Sequence, residues 1–184
     1  MTLIDNEAAA RSTGSSEPTT YWTTYQAPIG EILLIADETG LRELRLPGFF
    51  GDRDEAEARA SAGSCAPLDE SVEQLEAYFA GDLRTFDLAL APTGTAFQRR
   101  VWWALADIPY ARTESYGSVA ARVGNPKASR AVGMANNKNP LPIVFPCHRV
   151  IGANGSLVGY GGGLWMKEWL LAHESAVAER AAPG

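Results

Sequence analysis

Ser115-Tyr-Gly-Ser-Val-Ala-Ala-Arg-Val-Gly-Asn-Pro-Lys-Ala-Ser-Arg-Ala-Val-Gly-Met-Ala-Asn-Asn-Lys138 holds two short apolar stripes divided by a turn. Ser115 stands where an N-cap belongs, Tyr116, Val119, Ala120 and Val123 recur at helical spacing, and Gly124 closes the first helix. Asn125-Pro126 supplies the cap and first-turn proline of a second helix, whose buried stripe is predicted as Ala128, Ala131, Val132 and Ala135. Lys127, Arg130, Met134 and Asn137 or Lys138 occupy the opposite face. Two short helices joined by Gly-Asn-Pro, the second with a basic outer stripe, form the pattern of a helix-turn-helix. Small residues along the second helix (Ser129, Ala131, Gly133, Ala135) let its backbone come close to a partner. A pair of ordinary amphipathic helices has the same local pattern, so the distribution of charge decides.

The net charge of −6 argues at first against nucleic acid. Divided, the chain reads differently: residues 1–92 carry 6 basic and 17 acidic side chains, whereas residues 93–173 carry 9 basic and 3 acidic ones. Such asymmetry points to one half facing an anion and the other not.

Downstream lies Leu141-Pro-Ile-Val-Phe-Pro-Cys-His-Arg-Val150, where Cys147 sits beside His148 and Arg149 at the end of an apolar run. Positive neighbours favour thiolate, the form that attacks carbon; a free cysteine is otherwise most often a small buried hydrophobe. Successive strand residues point to opposite faces, so Cys147 and His148 can cooperate only if the run ends in a turn. Asn154-Gly155 between apolar flanks predicts a hairpin that would form a wing. Gly159-Tyr-Gly-Gly-Gly163 lacks a phosphate-loop lysine, and its glycines fit close approach to a flat ligand. A last helix, Leu164 to Glu174, ends in a carboxylate able to reach back to His148, and residues 175–184 read as a frayed tail.

Upstream, Met1 to Thr20 is polar, lacks the apolar centre of a secretory signal, and is expected to be disordered. Glu31–Asp37 and Leu41–Leu46 read as paired strands, and Pro47–Ala66 as a loop or ragged helix with Cys65 a bland surface thiol. Leu68, Val72, Leu75 and Phe79 mark a helix stopped by Gly81, Thr85–Leu90 alternates like a strand, and Ala91–Gly94 resembles a linker. Thr95-Ala-Phe-Gln98 is a capping box opening another helix, with Phe97, Val101, Leu105 and Ile108 on one face. Two cysteines make no disulfide framework, which suits a reducing cytoplasm, and no apolar run approaches the length of a membrane span.

Residues 93–174 as a set resemble the O6-alkylguanine-DNA alkyltransferases. The likeness runs in order through Thr95–Gln98 with Val101-Trp102, Ser115-Tyr-Gly117, Gly124-Asn-Pro126, Arg130-Ala-Val-Gly133 and Asn139-Pro140. It continues through Pro146-Cys-His-Arg-Val150, Gly159-Tyr160 with Gly162-Gly163, and Leu170-Leu-Ala-His-Glu174. The cysteine separates the chain from alkyltransferase-like proteins, which lack it. The resemblance implies an α/β fold: a small ribonuclease H-like α/β domain (residues 21–92), then a mostly helical domain with a winged helix-turn-helix (93–174). It implies single-use repair, with a flipped O6-alkylguanine yielding its alkyl group irreversibly to Cys147; O4-alkylthymine stays open as a second substrate. Without cofactor or metal, His148 would act through a water as general base, oriented by Glu174, while Tyr116 serves the leaving guanine.

By the same resemblance the Gly161 amide meets O6, the carbonyls of Cys147 and Val150 recognise the exocyclic amine, and Tyr160 lines the base pocket. Asn139 ties the active-site turn to the helix. Arg130 fills the space of the flipped nucleotide, and Gln98, Gly117, Asn125 and Lys127 join the contacts to duplex DNA through its minor groove. A cytoplasmic monomer is expected, with cooperative binding on DNA left open. Three positions depart from the pattern: Gly161 stands where many relatives have Ser or Ala, Ala111 where Gly is common, and the zinc ligands of some relatives have no counterpart. Two rival classes predict different outcomes: a DNA-binding protein without transfer would never gain mass on Cys147, and a cysteine hydrolase would turn over repeatedly.

Overall fold

The computed structural model describes residues 19–48 and 60–181. Of the segment 1–20 expected to be disordered, residues 1–18 lie outside them, as do residues 49–59 of the acidic segment Pro47–Ala66; Thr20 is ordered, its carbonyl accepting from Ser61 N–H. Strands β1 (Tyr21–Ala27), β2 (Gly30–Asp37) and β3 (Gly40–Arg45) make an antiparallel meander, and β4 (Ser61–Ala62) adds to β1 in parallel, for the order β3-β2-β1-β4. Alternation along β2 sends Ile32, Leu34 and Ala36 into the main core, while Leu33 and Ile35 pack with Trp22 on the other face.

Helix α1 (Ala66–Ala80) covers the core face with Leu68, Leu75 and Tyr78 and ends, as its sequence predicts, on Gly81 at φ 87. Cys65 is no surface thiol: it is the N-cap of α1 and only 7% exposed, because the helix start packs into the sheet. Thr85–Leu90 forms no strand either. The segment meets β3 through one bridge, Leu41 to Leu90, with Leu41 N–H donating to Ala89 O at 2.8 Å. That crossing depends on Gly40, at φ 145, where a Cβ would stand 2.5 Å from the Ala89 carbonyl oxygen. Gly40→Ala should therefore lower the urea unfolding midpoint, by about 2–3 kcal/mol in stability.

Helix α2 (Ala96–Ala106) opens on the capping box expected from sequence, with Thr95 and Gln98 serving each other's backbone N–H. Of the tandem tryptophans only Trp102 is core; its indole N–H donates to Ala135 O at 2.8 Å, whereas Trp103 is 49% exposed. Helices α3 (Tyr116–Arg122) and α4 (Ser129–Asn137) make the helix-turn-helix, with Ser115 Oγ accepting from Ser118 N–H. The second helix starts later than Asn125-Pro126 predicts, with Ala128 at the cap. Its buried residues are Val132, Ala135 and Asn136, and Ala131 faces solvent. Val132 and Ala135 keep the predicted phase, and Asn136 takes the buried place expected of Ala131.

The wing hairpin is absent as a strand pair. A turn does close at Asn154-Gly155, with Gly152 N–H donating to Ser156 O, but β6 (Val150–Ile151) pairs in parallel with β5 (Glu114–Ser115) instead. Helix α5 (Leu164–Arg180) runs past Glu174, because Val177 remains buried on the same face as Met166, Lys167, Leu170 and Glu174. Both halves share one continuous core: Leu34, Leu44 and Tyr78 belong with Trp102, Val132, Phe145 and Leu170.

Candidate active site

Pro146 and the bonds around it convert the apolar run into a turn. Cys147 N–H donates to Phe145 O (2.7 Å), Arg149 N–H to Pro146 O (2.9 Å), and Cys147–Arg149 make one turn of 3₁₀ helix. Asn139, wholly buried just after α4, fastens this turn: its Nδ2 donates to Phe145 O (2.7 Å) and its Oδ1 accepts from Leu141 N–H (3.0 Å). Ile143, between these anchors, is held at φ 76, an unfavourable conformation for a β-branched residue that the surrounding bonds impose.

Cys147 is 1% exposed and His148 and Glu174 are wholly buried. His148 Nε2 lies 2.8 Å from Glu174 Oε1, and Nδ1 makes no hydrogen bond to protein. Burial lowers the imidazole's pKa, against the pull of Glu174, so the ring is neutral at neutral pH. A neutral ring donating from Nε2 to a carboxylate leaves Nδ1 as a lone-pair acceptor. Glu174 itself is raised by burial but brought down to about 2 by the hydrogen bonds and charges of His148 and Arg149.

Arg149 is not the thiol's cation. Its guanidinium turns onto Glu174, with Nε 3.0 Å from Oε2 and Nη2 2.9 Å from Oε1, and donates from Nη1 to Ile108 O at 2.6 Å. Its carbon also lies 5.5 Å from the centre of the Tyr110 ring. The cation whose charge reaches Cys147 is Lys167, fully buried on α5, with Nζ 2.6 Å from Val150 O and 3.2 Å from Val158 O. Burial pushes the Cys147 thiol up; Asn139, Lys167 and Tyr160 act in the opposite direction. At rest the pair is thus a thiol and a neutral imidazole.

The carboxylate has further partners that the sequence reading missed. Tyr78 Oη donates to Glu174 Oε1 at 2.9 Å and Ala111 N–H to Oε2 at 2.9 Å. Ala111 stands at φ 56, the left-handed region its replacement of glycine made questionable, and its bond to Glu174 helps hold it there. Lys167 and Glu174 share a helix face two turns apart, a spacing that could have marked the lysine as inward-facing. Tyr78, 96 residues from Glu174, left no comparable local signal.

Of the remaining predicted residues, Tyr116 and Arg130 line a groove on the outer side of α4, a cavity of about 330 Å³ also lined by Gly133, Asn137, Val158 and Gly159. Tyr116 Oη donates to Val158 O at 3.3 Å, and Arg130 is exposed. Gly117, Asn125, Lys127 and Gly161 are exposed as well. Gln98 is half-buried, its side-chain oxygen engaged by Thr95 N–H in the capping box, and Tyr160 is half-buried with its hydroxyl inside. Val150 O, predicted to accept from a guanine amine, already accepts from Lys167; Cys147 O faces Asn136 Nδ2 at 3.4 Å. Among the described residues no cluster of three or more His, Cys, Asp or Glu could hold a metal ion, and no helix is long and apolar enough to cross a membrane.

A helix pair with a basic outer face, bonded through its core to a cysteine, histidine and carboxylate in one buried site, defines a cysteine-dependent protein built on a DNA-binding fold. Residues 96–176 match the DNA binding domain of 6-O-methylguanine DNA methyltransferase, and residues 20–92 match its ribonuclease-like domain. The chain belongs to the 6-O-methylguanine DNA methyltransferase family. It is 48% identical over 165 residues to a methylated-DNA–protein-cysteine methyltransferase of Methanosarcina acetivorans, covering 85% of this chain and 99% of that one. A second such protein, from Methanosarcina mazei, is 51% identical over 157 residues, covering 84% and 96%. The Mycobacterium tuberculosis OGT crystallised in complex with DNA is 43% identical with a TM-score of 0.77, covering 85% of this chain and 94% of that one.

Proposed function

We propose that this chain repairs DNA by removing the alkyl group from O6-alkylguanine onto its own Cys147, once per molecule. The observation that carries the reading is the His148–Glu174 pair, which leaves imidazole Nδ1 as a proton acceptor in the same tight turn as the thiol. His148 takes the Cys147 proton through one water, and the resulting imidazolium is held by the Glu174 carboxylate. The sulfur attacks the alkyl carbon in line, the carbon–O6 bond breaks, and the guanine leaves as an anion that takes a proton from the Tyr116 side. Donors aimed at the leaving oxygen lower the barrier; the exposed Gly161 amide is the one assigned to O6. The thioether formed has no route back to thiol, so turnover ends there. Lys167 fits this chemistry as a buried positive charge facing the developing thiolate.

Helix α4 enters the minor groove of duplex DNA, with Arg130 in the space of the extruded nucleotide and Tyr160 against the base. Gln98, Gly117, Asn125 and Lys127 hold the flanking backbone, and Asn139 keeps the turn in place. A relative of the same family crystallised in complex with DNA supports DNA as the partner. The minor groove says little about sequence, which suits a protein that must find damage anywhere. The chain works as a monomer without cofactor; a boundary between residues 92 and 93 is supported by two family matches that cover 20–92 and 96–176.

The test is an intact-mass measurement after incubation with duplex DNA carrying O6-methylguanine. One methyl group should replace one proton, mapped to the peptide holding Cys147, with methyl transferred never exceeding protein added. Repeated product release would instead show a hydrolase, and unchanged mass with DNA bound would show a lesion-binding protein.

Arg130→Ala should slow transfer from duplex DNA by about thirtyfold, corresponding to about 2 kcal/mol of the unstacking cost left unmet, while transfer from the free base O6-benzylguanine is unchanged. Equal losses on both substrates in a single-turnover assay would remove Arg130 from this role.

A further inference from the structure

Tyr78 belongs to the amino-terminal half, yet both ends of the residue are tied to consecutive residues of α5. Its hydroxyl donates to Glu174 Oε1 at 2.9 Å, and its carbonyl oxygen lies 3.0 Å from His173 Nε2. Tyr78 is fully buried. One turn of backbone further on, Gly81 is packed so closely against α5 that a Cβ there would stand 2.9 Å from Val177 Cγ2. The oxygen Tyr78 reaches is the one that faces His148 Nε2, and it also receives Arg149 Nη2 at 2.9 Å. Donors from three residues therefore converge on a single carboxylate oxygen, Arg149 also reaching it through Nε at 3.2 Å, and only Tyr78 comes from outside residues 93–174.

We propose that Tyr78 is a positioning residue for the proposed transfer reaction, through which the ribonuclease-like half fixes the orientation and the hydrogen-bonding strength of Glu174 toward His148. The inference rests on the alkyl-transfer reading for its effect on rate, though not for its effect on the imidazole. A carboxylate oxygen shared among donors gives each less of its electron density, so removing the tyrosine hydroxyl strengthens the bond to His148 and favours imidazolium. It also frees the carboxylate to rotate, which misaligns the imidazole relative to the sulfur. The other titratable or charged groups around this pair are Tyr110, with Arg84 beside it, on the loop side, Cys147 and Arg149 in the turn, and Lys167 and His173 on α5.

Tyr78→Phe removes one oxygen atom and keeps the ring. In the full chain, the imidazole nitrogen chemical shifts of His148 followed against pH should show its titration moving upward relative to wild type, while His173, bonded to the Tyr78 backbone, stays put. Single-turnover transfer from free O6-benzylguanine should fall by about tenfold, the low end for loss of a group that orients a functional histidine, and the acid limb of its pH profile should move upward in step. DNA affinity should not change. Gly81→Ala is the companion variant: it loosens the same docking without touching Glu174, so it should lower the melting temperature and leave the His148 titration where it was. An unmoved His148 in Tyr78→Phe, or His148 and His173 moving together in both variants, would reduce Tyr78 to a packing residue. Should wild type fail to transfer alkyl groups at all, the functional reading falls, and the histidine titration still decides the role of Tyr78.

Discussion

Cys147→Ser should abolish alkyl transfer while leaving the protein folded and able to bind duplex DNA. Serine keeps the shape of the side chain but replaces a thiol with a hydroxyl that His148 cannot ionise, and the attacking power of sulfur is lost with it. The loss should be at least about four orders of magnitude in single-turnover rate, below detection in practice. Stability should change by only about 1 kcal/mol, since Asn139 and Tyr160, which act on the thiol at rest, can serve a hydroxyl. Gel-shift affinity for alkylated duplex should stay within about twofold of wild type, because the proposed DNA contacts are spread along the helix pair and do not include the thiol. Transfer persisting in this variant would move the acceptor elsewhere.

Glu174→Gln should damage both chemistry and fold. The carboxylate receives bonds from Tyr78, Ala111, His148 and Arg149, and a neutral amide can satisfy them only in part. Leaving the Arg149 guanidinium buried without its counter-charge should cost about 3–5 kcal/mol in urea unfolding. The amide nitrogen can also donate to His148 Nε2, which would place the imidazole proton on Nδ1 and remove the acceptor the thiol requires. A wrong tautomer in a comparable carboxylate–imidazole pair lowers rate by about 10⁴-fold, and the loss here should lie at about 10²–10⁴-fold. The pH dependence follows from the same group. In the folded protein its pKa is lowered to about 2, so its stabilisation is complete above the unfolded carboxyl value of roughly 4.3 and disappears as pH falls to about 2. Wild type should lose stability across that interval, and the glutamine variant should lose correspondingly less.

The carboxy-terminal half was largely legible because its signals are local. The Thr95–Gln98 box, the Ser115 cap and Gly124 each state a helix end within a few residues, and the structure has those ends. Cys147, His148 and Glu174 were singled out from residue type and order, and the turn and α5 bring His148 and Glu174 to 2.8 Å. The errors arose where the deciding interaction is distant. Thr85–Leu90 alternates like a strand but has only one bridge to a neighbour, and the Asn154-Gly155 flanks lose their pairing because β6 finds β5 instead. Arg149 was assigned to the nearest group in sequence, the thiol, yet a buried carboxylate 25 positions away outcompetes it. Lys167, one of the nine basic residues of 93–173, is buried behind the active-site turn, which its charge alone does not signal.

Sheltering the sulfur has a bearing on how long the protein stays usable. A molecule that acts once must wait with its only reagent undamaged. Peroxides and stray electrophiles reach exposed thiolates first, and at 1% exposure Cys147 presents neither exposure nor, at rest, a thiolate. Its shelf life against oxidants is therefore set by how often the surrounding turn and loop open, not by the inherent reactivity of cysteine.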